Sequence, residues 1–447
     1  MTDQRDPRIR ALIVELAQSS AEAPTFAELE DLAAEPIGEG PVRPMGPQPS
    51  SNRGRGWLVA VAAAVAVLVL VGGAALLFPT TGSDGPVAAT PPIEPFSSLA
   101  WSEVPYDEAV FGGAEISKVT VGGPGLVAVG SAGSGDDRRM AVWTSVDGIT
   151  WARVAHDEAV FGGPRMGMES VTAGGPGLVA VGSGDPHDNG DAVVWTSVDG
   201  ITWSRVPHDE AVFGGRSDQQ MTSVTVGGPG LVAVGWDLAG GDADAAVWTS
   251  PDGVTWSRVP HDEEVFGGGS HQAMWHVTAG GPGLVAVGED GSDVAVWTSV
   301  DGITWSRVPH DEENFGEGQV TSVTNTGSGL VAVGNVGSDA GDHAAVWTSP
   351  DGVTWSRVPH DEAIFGGEGN QAMQSVTAGG TGLVAVGSDG EGAAVWASPD
   401  GITWSRVPND KAVFSGEGGM YSVPFAGLMV IGDAGGNAAV WAVVPEN

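Results

Sequence analysis

Apolar and polar positions after residue 95 follow one pattern that repeats about every 50 residues. One copy contains four short segments with the period or composition of β-strands: Met168–Ala173, Leu178–Val181, Ala192–Ser197 and Ile201–Val206. The second segment is apolar on both faces, which indicates burial between packed sheets, and the fourth alternates as an outer strand does. Because no segment within the repeat has helical length or period, the pattern predicts the four-stranded blades of a β-propeller.

The order of the strands predicts how the ring closes. The first, second and third strand types each occur seven times, and the fourth type also occurs seven times. The first copy of the fourth type, Leu99–Val104, precedes all other strands, and no such strand follows the last third strand, Ala438–Val443. The expected fold class is therefore all-β: a seven-bladed β-propeller of four-stranded blades over residues 96–447, closed by the N-terminal strand.

An uncharged apolar segment precedes the propeller. Residues 57–78 form 22 positions without a charged side chain, and about 1.5 Å of helical rise per residue gives roughly 33 Å, enough to cross a bilayer core. We expect one uncleaved transmembrane helix here, joined to the propeller by a Pro/Gly-rich spacer at residues 79–95. Arg53 and Arg55 precede this helix and Asp84 is the first charge after it, so we expect a single-pass protein of the cell membrane with a cytoplasmic N-terminus and an extracytoplasmic propeller.

Residues 1–56 are expected to form a cytoplasmic tail with short helices and a linker. Ile9, Leu12, Ile13 and Leu16 share one face of a helix. This single apolar stripe leaves two interpretations open: a solvated segment that merely precedes the membrane, and an element that docks to a cytoplasmic partner.

Charge and cysteine content narrow the classes of function. A formal net charge of −38 repels a phosphate backbone, which argues against nucleic-acid binding. The chain has no Cys, so disulfides, thiolate metal sites and cysteine nucleophiles are excluded. Any metal site in this protein would have to use oxygen or histidine ligands.

A turn motif between the third and fourth strands carries a family resemblance. Its first copy reads Ser-Val-Asp-Gly-Ile-Thr-Trp at residues 145–151. In such a turn the carboxylate can accept amide hydrogens of its own backbone, and Gly supplies a positive φ. The motif resembles the Asp-box, or BNR repeat, of sialidase-like and sortilin-like propellers. A structural role is expected for the aspartates of its six regular copies: Asp147, Asp199, Asp252, Asp301, Asp351 and Asp400.

The resemblance also implies sialidase chemistry, which in that family uses three arginines, a tyrosine–glutamate pair and an aspartate. Only Tyr106 and Tyr421 are present, and Tyr106 takes a position where other repeats have His. Most arginines of the repeats share one position on the outer strand: Arg153, Arg205, Arg258, Arg307, Arg357 and Arg406. An enzyme is therefore the less favoured interpretation, and no catalytic residue is assigned.

The crossovers between blades contain His, Asp and Glu in succession, as in His208, Asp209 and Glu210. Adjacent residues of an extended chain point in different directions, whereas a zinc site needs three or four converging ligands. We expect a structural role in which Asp caps one helical turn and a following Phe fills the core. No metal or other cofactor is assigned, although the acidic loops of the same face leave Ca²⁺ binding open.

Aromatic residues outside the repeat pattern suggest a binding site. Trp236 opens a variable loop and Trp275 lies at the start of the inner strand of the next blade, so both are expected on one face beside polar groups. The candidate set is Trp236, Trp275, His271, His276, Asp237 and Asp242. The interpretation that these aromatics only pack against the ring and a loop also stays open.

These features together favour a membrane-anchored extracytoplasmic propeller that acts as a non-catalytic binding or interaction module. Its expected partners are the membrane, through one helix, and an extracellular protein or glycan ligand. The oligomeric state is left open. Two alternatives remain, an extracellular glycan hydrolase similar to sialidases and a transmembrane sensor that signals to the cytoplasmic tail.

Overall fold

The first strand of the computed structural model begins at Ala100. The structure describes residues 100–133, 139–162, 167–184, 190–215, 218–238, 241–337, 341–379, 382–390, 392–408, 419–422, 429–434 and 437–444. These residues form 28 strands and three single-turn helices. The domains expected at residues 1–56, 57–78 and 79–95 lie outside the described residues, so the tail, the spacer, the orientation and the cellular location stay predictions.

A short strand, β1 (Ala100–Glu103), precedes three blades of four consecutive antiparallel strands. Blade 1 consists of β2 (Ala114–Gly122), β3 (Gly125–Ala132), β4 (Arg139–Ser145) and β5 (Trp151–Arg153). Blade 2 consists of β6 (Gly167–Gly174), β7 (Gly177–Ser183), β8 (Ala192–Ser197) and β9 (Trp203–Arg205). Blade 3 consists of β10 (Gln219–Gly227), β11 (Gly230–Asp237), β12 (Asp244–Ser250) and β13 (Ser257–Arg258).

Three more blades of the same kind follow, and then three final strands. Blade 4 consists of β14 (Gln272–Gly280), β15 (Gly283–Asp290), β16 (Asp293–Ser299) and β17 (Trp305–Arg307). Blade 5 consists of β18 (Gly318–Asn325), β19 (Leu330–Val336), β20 (His343–Ser349) and β21 (Ser356–Arg357). Blade 6 consists of β22 (Ala372–Gly379), β23 (Gly382–Ser388), β24 (Ala393–Ser398) and β25 (Ser405–Arg406). The final strands are β26 (Met420–Ser422), β27 (Met429–Ala434) and β28 (Asn437–Val444).

One further four-stranded sheet is assembled from both ends of the described chain, in the order β1-β28-β27-β26. β1 pairs with β28 in an antiparallel ladder that sets Ala100 opposite Val444 and Glu103 opposite Trp441. The ladder is extended by Val104, whose amide donates a hydrogen bond to the Val440 carbonyl at 2.7 Å. This composite sheet contacts blade 6 on one side and blade 1 on the other, so the sheets form a closed ring.

The expected fold class is corrected in the number of its blades. Six blades, not seven, are each formed by consecutive strands, and they are joined by one composite sheet that differs from them in connectivity. In the part of the chain that the structure describes, no helix is long and apolar enough to cross a membrane. The expectation of seven blades is therefore replaced by an all-β propeller of six continuous blades and a composite sheet. The helix expected at residues 57–78 lies outside the described residues.

Burial of the second strand of each blade explains why the sheets stack. In β11, each residue from 231 to 234 is at most 1 % exposed. Leu231 and Ala233 pack in the apolar core between blades 2 and 3, whereas Val232 and Val234 pack in the core between blades 3 and 4. Burying one such side chain contributes roughly 1.5–3 kcal/mol. A strand that is apolar on both faces thus needs a neighbouring sheet on each side.

Crossovers between blades contain the three helices of the described residues. In the crossover after blade 1, the Asp157 side chain accepts the Ala159 amide hydrogen at 2.9 Å, and Phe161 is buried. The indole of Trp195 donates to the Val160 carbonyl at 2.9 Å, which ties this crossover to the next blade. The expected Asp cap and buried Phe are confirmed. The helices are α1 (Glu108–Phe111), α2 (Glu158–Phe161) and α3 (Glu362–Phe365).

The turns between third and fourth strands are held by their own side chains. Asp301 accepts the amide hydrogens of Ile303 at 2.9 Å and Thr304 at 2.6 Å, and Gly302 has a φ of 75°. The indole of Trp305 donates to the Gly302 carbonyl at 3.0 Å. The hydrogen bond from the Thr304 amide is the main cause that lowers the pKa of Asp301. The same pair of amide bonds is made by Asp147, Asp199, Asp252, Asp351 and Asp400.

We predict that deletion of Ala100–Val104 from the full chain lowers the melting temperature. The deletion exposes the edge of β28 and removes buried Val104 from the core between the composite sheet and blade 1. Thermal unfolding followed by circular dichroism measures the change, with exposed Glu103→Gln as the control that should behave as wild type. An unchanged melting temperature after the deletion would show that β1 does not stabilise the ring.

Replacement of Asp301 by Ala should destabilise the protein by about 1–2 kcal/mol, because two amide donors lose their acceptor. Asp301→Asn retains a side-chain oxygen and should be the milder change. Since the folded-state pKa of Asp301 is lowered, its contribution is present above the ordinary value of 3.8 and is lost as the pH falls through the folded-state pKa. Denaturant titrations at neutral and acidic pH test this, and a difference that does not shrink in acid would contradict it.

Candidate functional site

The first strands of the sheets contact one another around the ring and form its inner wall. Each of these strands has a bulge, and the residue after the bulge pairs with a Val or Ile of the second strand. We call these seven equivalent positions the inner ring. Its members are Lys118, Ser170, Ser223, His276, Ser322, Ser375 and Ser422.

Serine at the inner ring links neighbouring blades. The Ser170 hydroxyl accepts the amide hydrogen of Val224 from the next inner strand at 3.3 Å. Ser223 and Ser322 each accept an amide hydrogen of the following blade in the same way, also at 3.3 Å. Because an inner strand is the edge of its sheet, these bonds satisfy donors that the sheet itself leaves unpaired. Serine is thus the structural residue at this position.

His276 replaces serine in blade 4 and keeps its acceptor role. Its Nδ1 accepts the Val323 amide hydrogen at 3.4 Å, so the neutral ring carries its proton on Nε2. Burial is the main cause that lowers the pKa of His276 to about 3, and the charge of Lys118 lowers it further. His276 is therefore an uncharged donor at neutral pH.

Lys118 replaces serine in blade 1, and an ammonium group cannot accept the bond that serine accepts. No hydrogen bond or ion pair joins the Lys118 side chain to another described residue. Protein surrounds the side chain, yet part of it stays accessible to solvent, as expected for a group that lines a narrow channel. Burial lowers the pKa of Lys118 to about 8. The inner ring thus contains a cation that no described carboxylate neutralises.

Two further polar groups at the inner wall lack a partner among the described residues. The indole Nε1 of Trp275 and the hydroxyl of Ser422 are buried without a hydrogen bond. Trp275 occupies the bulge position directly before His276. Its counterpart Thr222 donates from Oγ1 to the Met274 carbonyl of the next inner strand at 2.6 Å, which shows that bulge side chains lie along the wall.

The other residues of the expected binding set lie towards the ends of strands. Trp236 is the penultimate residue of β11, and β11 contacts β14, which carries Trp275. Asp237 pairs with Arg258 at 2.6 Å, His271 lies 3.5 Å from Glu289, and Asp242 is exposed. The structure places His276 and Trp275 on the inner wall and leaves the role of the whole set as a prediction.

Lys118 was missed by sequence reasoning, although the sequence contains a signal for it. The motifs singled out in the sequence belong to the turns and crossovers, and neither of these includes the first strand of a blade. Alignment of the first strands would instead have shown five serines, one histidine and one lysine at a single position. The bulge register, which defines that position, becomes visible only in the paired strands.

Residues that sialidase chemistry would need lie away from the inner wall. The Tyr106 hydroxyl donates to Glu108 at 2.8 Å, but both residues are exposed on a crossover. Arg307 is on the outer strand β17, where it pairs with Asp290 and lies over the Trp297 ring at 5.6 Å. These contacts give the repeated arginines a structural role.

Three groups on the crossovers could hold a metal ion, because their ligand atoms all lie within 4.8 Å of one another. Each group combines the His and Glu of a crossover with one residue at or just before the start of a third strand. The groups are Asp191, His208 and Glu210; Asp244, His261 and Glu263; and His343, His360 and Glu362. The expectation that His and Glu of a crossover point apart is wrong here, since His360 Nε2 and Glu362 Oε2 are 3.0 Å apart.

One family model that matches this chain describes a β-propeller. The model of the DUF6242 beta propeller domain matches residues 243–423, and no curated protein matches. A catalytically inactive virginiamycin B lyase from Staphylococcus aureus with quinupristin is 12% identical, with a TM-score of 0.44 over 78% of this chain and 100% of that chain. Sqt1 from Chaetomium thermophilum is 13% identical, with a TM-score of 0.42 over 78% of this chain and 100% of that chain. The matching family model is not the Asp-box repeat, so the propeller is shown and that family is not.

We predict that Lys118→Ser raises stability at neutral pH. Serine restores the residue that bridges blades elsewhere in the ring, and the lowering of the lysine pKa from 10.5 to about 8 corresponds to at most roughly 3 kcal/mol. Because the folded-state pKa is lower than the unfolded one, wild-type stability should rise as the pH increases from 8 to 10.5, and the advantage of the variant should shrink. Denaturant titrations across this range measure the effect. An advantage that is equal at all pH values would contradict it.

Proposed function

We propose that the propeller is a non-catalytic binding module that holds an anionic group of its ligand in the central channel. The observation that carries this proposal is the unpaired ammonium of Lys118 at a ring position where five other sheets have serine. A buried charge without a counter-ion is destabilising, and its neutralisation by a ligand would offset that cost.

The polar groups of the inner wall that have no partner among the described residues are hydrogen-bond donors or can act as donors. Lys118 offers its ammonium, His276 its Nε2 proton, and Trp275 its indole N–H. The charge of Lys118 lowers the pKa of His276, so the two side chains lie close enough along the inner wall to interact. A carboxylate or phosphate oxygen is the ligand group that such donors match, and contacts of this type are strengthened where water is excluded.

Binding is favoured over catalysis by the composition of the same wall. None of the seven inner-ring residues is Asp or Glu, and the bulge positions contribute a single carboxylate, Glu169. Glycoside hydrolysis ordinarily needs two carboxylates on opposite sides of the bond that is cleaved. The expected class of ligand is therefore a small acid, or an acidic saccharide whose ring packs on Trp275.

Calorimetric titration of the full chain with glucuronate, acetate, inorganic phosphate and uncharged glucose tests this function. We expect at least one anion to bind and glucose to bind more weakly than glucuronate. Lys118→Ser should weaken the binding of the anion about tenfold or more, and the wild-type affinity should fall as the pH rises above the lysine pKa of about 8.

Lys411→Ser is the charge-matched control, because Lys118 and Lys411 are the two lysines of the chain. Lys411 takes the repeat position of Glu362 on a crossover, so its loss should leave anion binding unchanged. Two results would reject the proposed function. One is equal affinity of wild type and Lys118→Ser for every anion, and the other is an equal loss of anion affinity in Lys118→Ser and Lys411→Ser.

A further inference from the structure

We propose that His343, His360 and Glu362 of blade 5 form a binding site for a divalent transition-metal ion, with zinc as the best match. This site lies on a crossover and at the start of a third strand. It does not depend on the inner ring or on the proposed function.

The three side chains converge from two elements. His343 is the first residue of β20, and His360 and Glu362 belong to the crossover that leaves the same blade. The two imidazole rings have their centroids 4.9 Å apart, and the ligand atoms of all three residues lie within 4.8 Å of one another. Ligands at tetrahedral zinc are spaced by about 3–3.5 Å, given metal–ligand bonds of 2.0–2.2 Å, so small rotamer adjustments would bring them into coordination range.

The backbone under these ligands is already ordered. Asp361 accepts the Ala363 amide hydrogen at 3.0 Å and so fixes the turn that starts with Glu362. The ring of His360 lies 6.4 Å from that of buried Phe365, and His343 pairs with Val336 in the ladder. Little conformational freedom remains to be lost from the backbone when a metal binds.

Comparison between blades distinguishes this site from an ordinary ion pair. In blade 2, His208 Nε2 lies 3.2 Å from Glu210 and 3.6 Å from Asp191, so a protonated imidazole would be neutralised by two carboxylates. Blade 3 has the same arrangement around His261. In blade 5 the third group is His343, and a second imidazole cannot serve as a counter-ion for the first.

The chemistry of the blade 5 donors selects among metals. Two imidazole nitrogens and one carboxylate are typical of zinc sites that keep an open position, whereas Ca²⁺ and Mg²⁺ prefer oxygen ligands. The net charge of −38 raises the local concentration of any cation near the surface. The expected complex therefore has three protein ligands and water at the remaining position.

Titration calorimetry of the full chain with Zn²⁺, and the visible spectrum with Co²⁺, test the site. His343→Asp installs the residue of blades 2 and 3, so the fold should be kept while the tightest Zn²⁺ binding weakens about tenfold or more, the scale seen when even supporting groups of metal sites are lost. Asp244→His should convert blade 3 to the blade 5 arrangement and add one equivalent of bound Zn²⁺.

His156→Asn is the matched control, because it removes a crossover histidine of blade 1, where Arg139 stands at the position of His343. It should leave the tightest Zn²⁺ binding unchanged. Three results would each overturn the proposal: no Zn²⁺ binding by wild type, equal affinity in His343→Asp, or displacement of Zn²⁺ by an equal concentration of Ca²⁺.

Discussion

Double-sided burial of the second strand is the constraint on which the rest of this structure depends. Each such strand places alternate side chains into the apolar cores on its two sides, as Leu231 and Val232 do. A stack of such sheets with free ends would expose one apolar face at each end. A closed ring covers every face, and here the sheet that closes the ring contains strands from both ends of the described chain. Loops and crossovers can then vary without loss of the fold.

Closing the ring creates a second constraint at its centre. Each inner strand is the edge of its sheet and lies against the inner strands of the neighbouring blades. Amide donors on its free side therefore need acceptors from those blades. Serine at the inner ring supplies such acceptors with a short side chain, as Ser170 does for Val224. Histidine can supply the same acceptor and still offer a donor, whereas lysine can only donate. Departures from serine therefore change what the channel can bind more than they change how the blades are joined.

The sequence was sufficient to predict the structural features that repeat. Period, strand order and the Asp turns follow from local patterns, because each repeat must form the same short-range hydrogen bonds around residues such as Asp301. Strand order also predicted that the N-terminal strand closes the ring, and β1 pairs with β28 as expected. Six blades, not seven, consist of consecutive strands, because the remaining sheet draws its strands from both ends of the described chain. Alignment of the repeats singles out Lys118, but its place on the inner wall depends on the bulge register of paired strands. The approach of His343 to His360 depends on two separate elements and does not follow from a local pattern.

The net charge acts differently on ions at the outer surface and on ions at the inner wall. At physiological ionic strength the Debye length is about 8 Å, so the net charge of −38 acts mainly on ions close to the outer surface. This field favours a cation at the crossover of His360 and disfavours an anion that approaches the channel. An anion at Lys118 must therefore be held by short-range contacts with donors that have no partner in the described protein. An acidic protein can bind an anion only where such donors are concentrated, and donors of this kind lie together on the inner wall of the described ring.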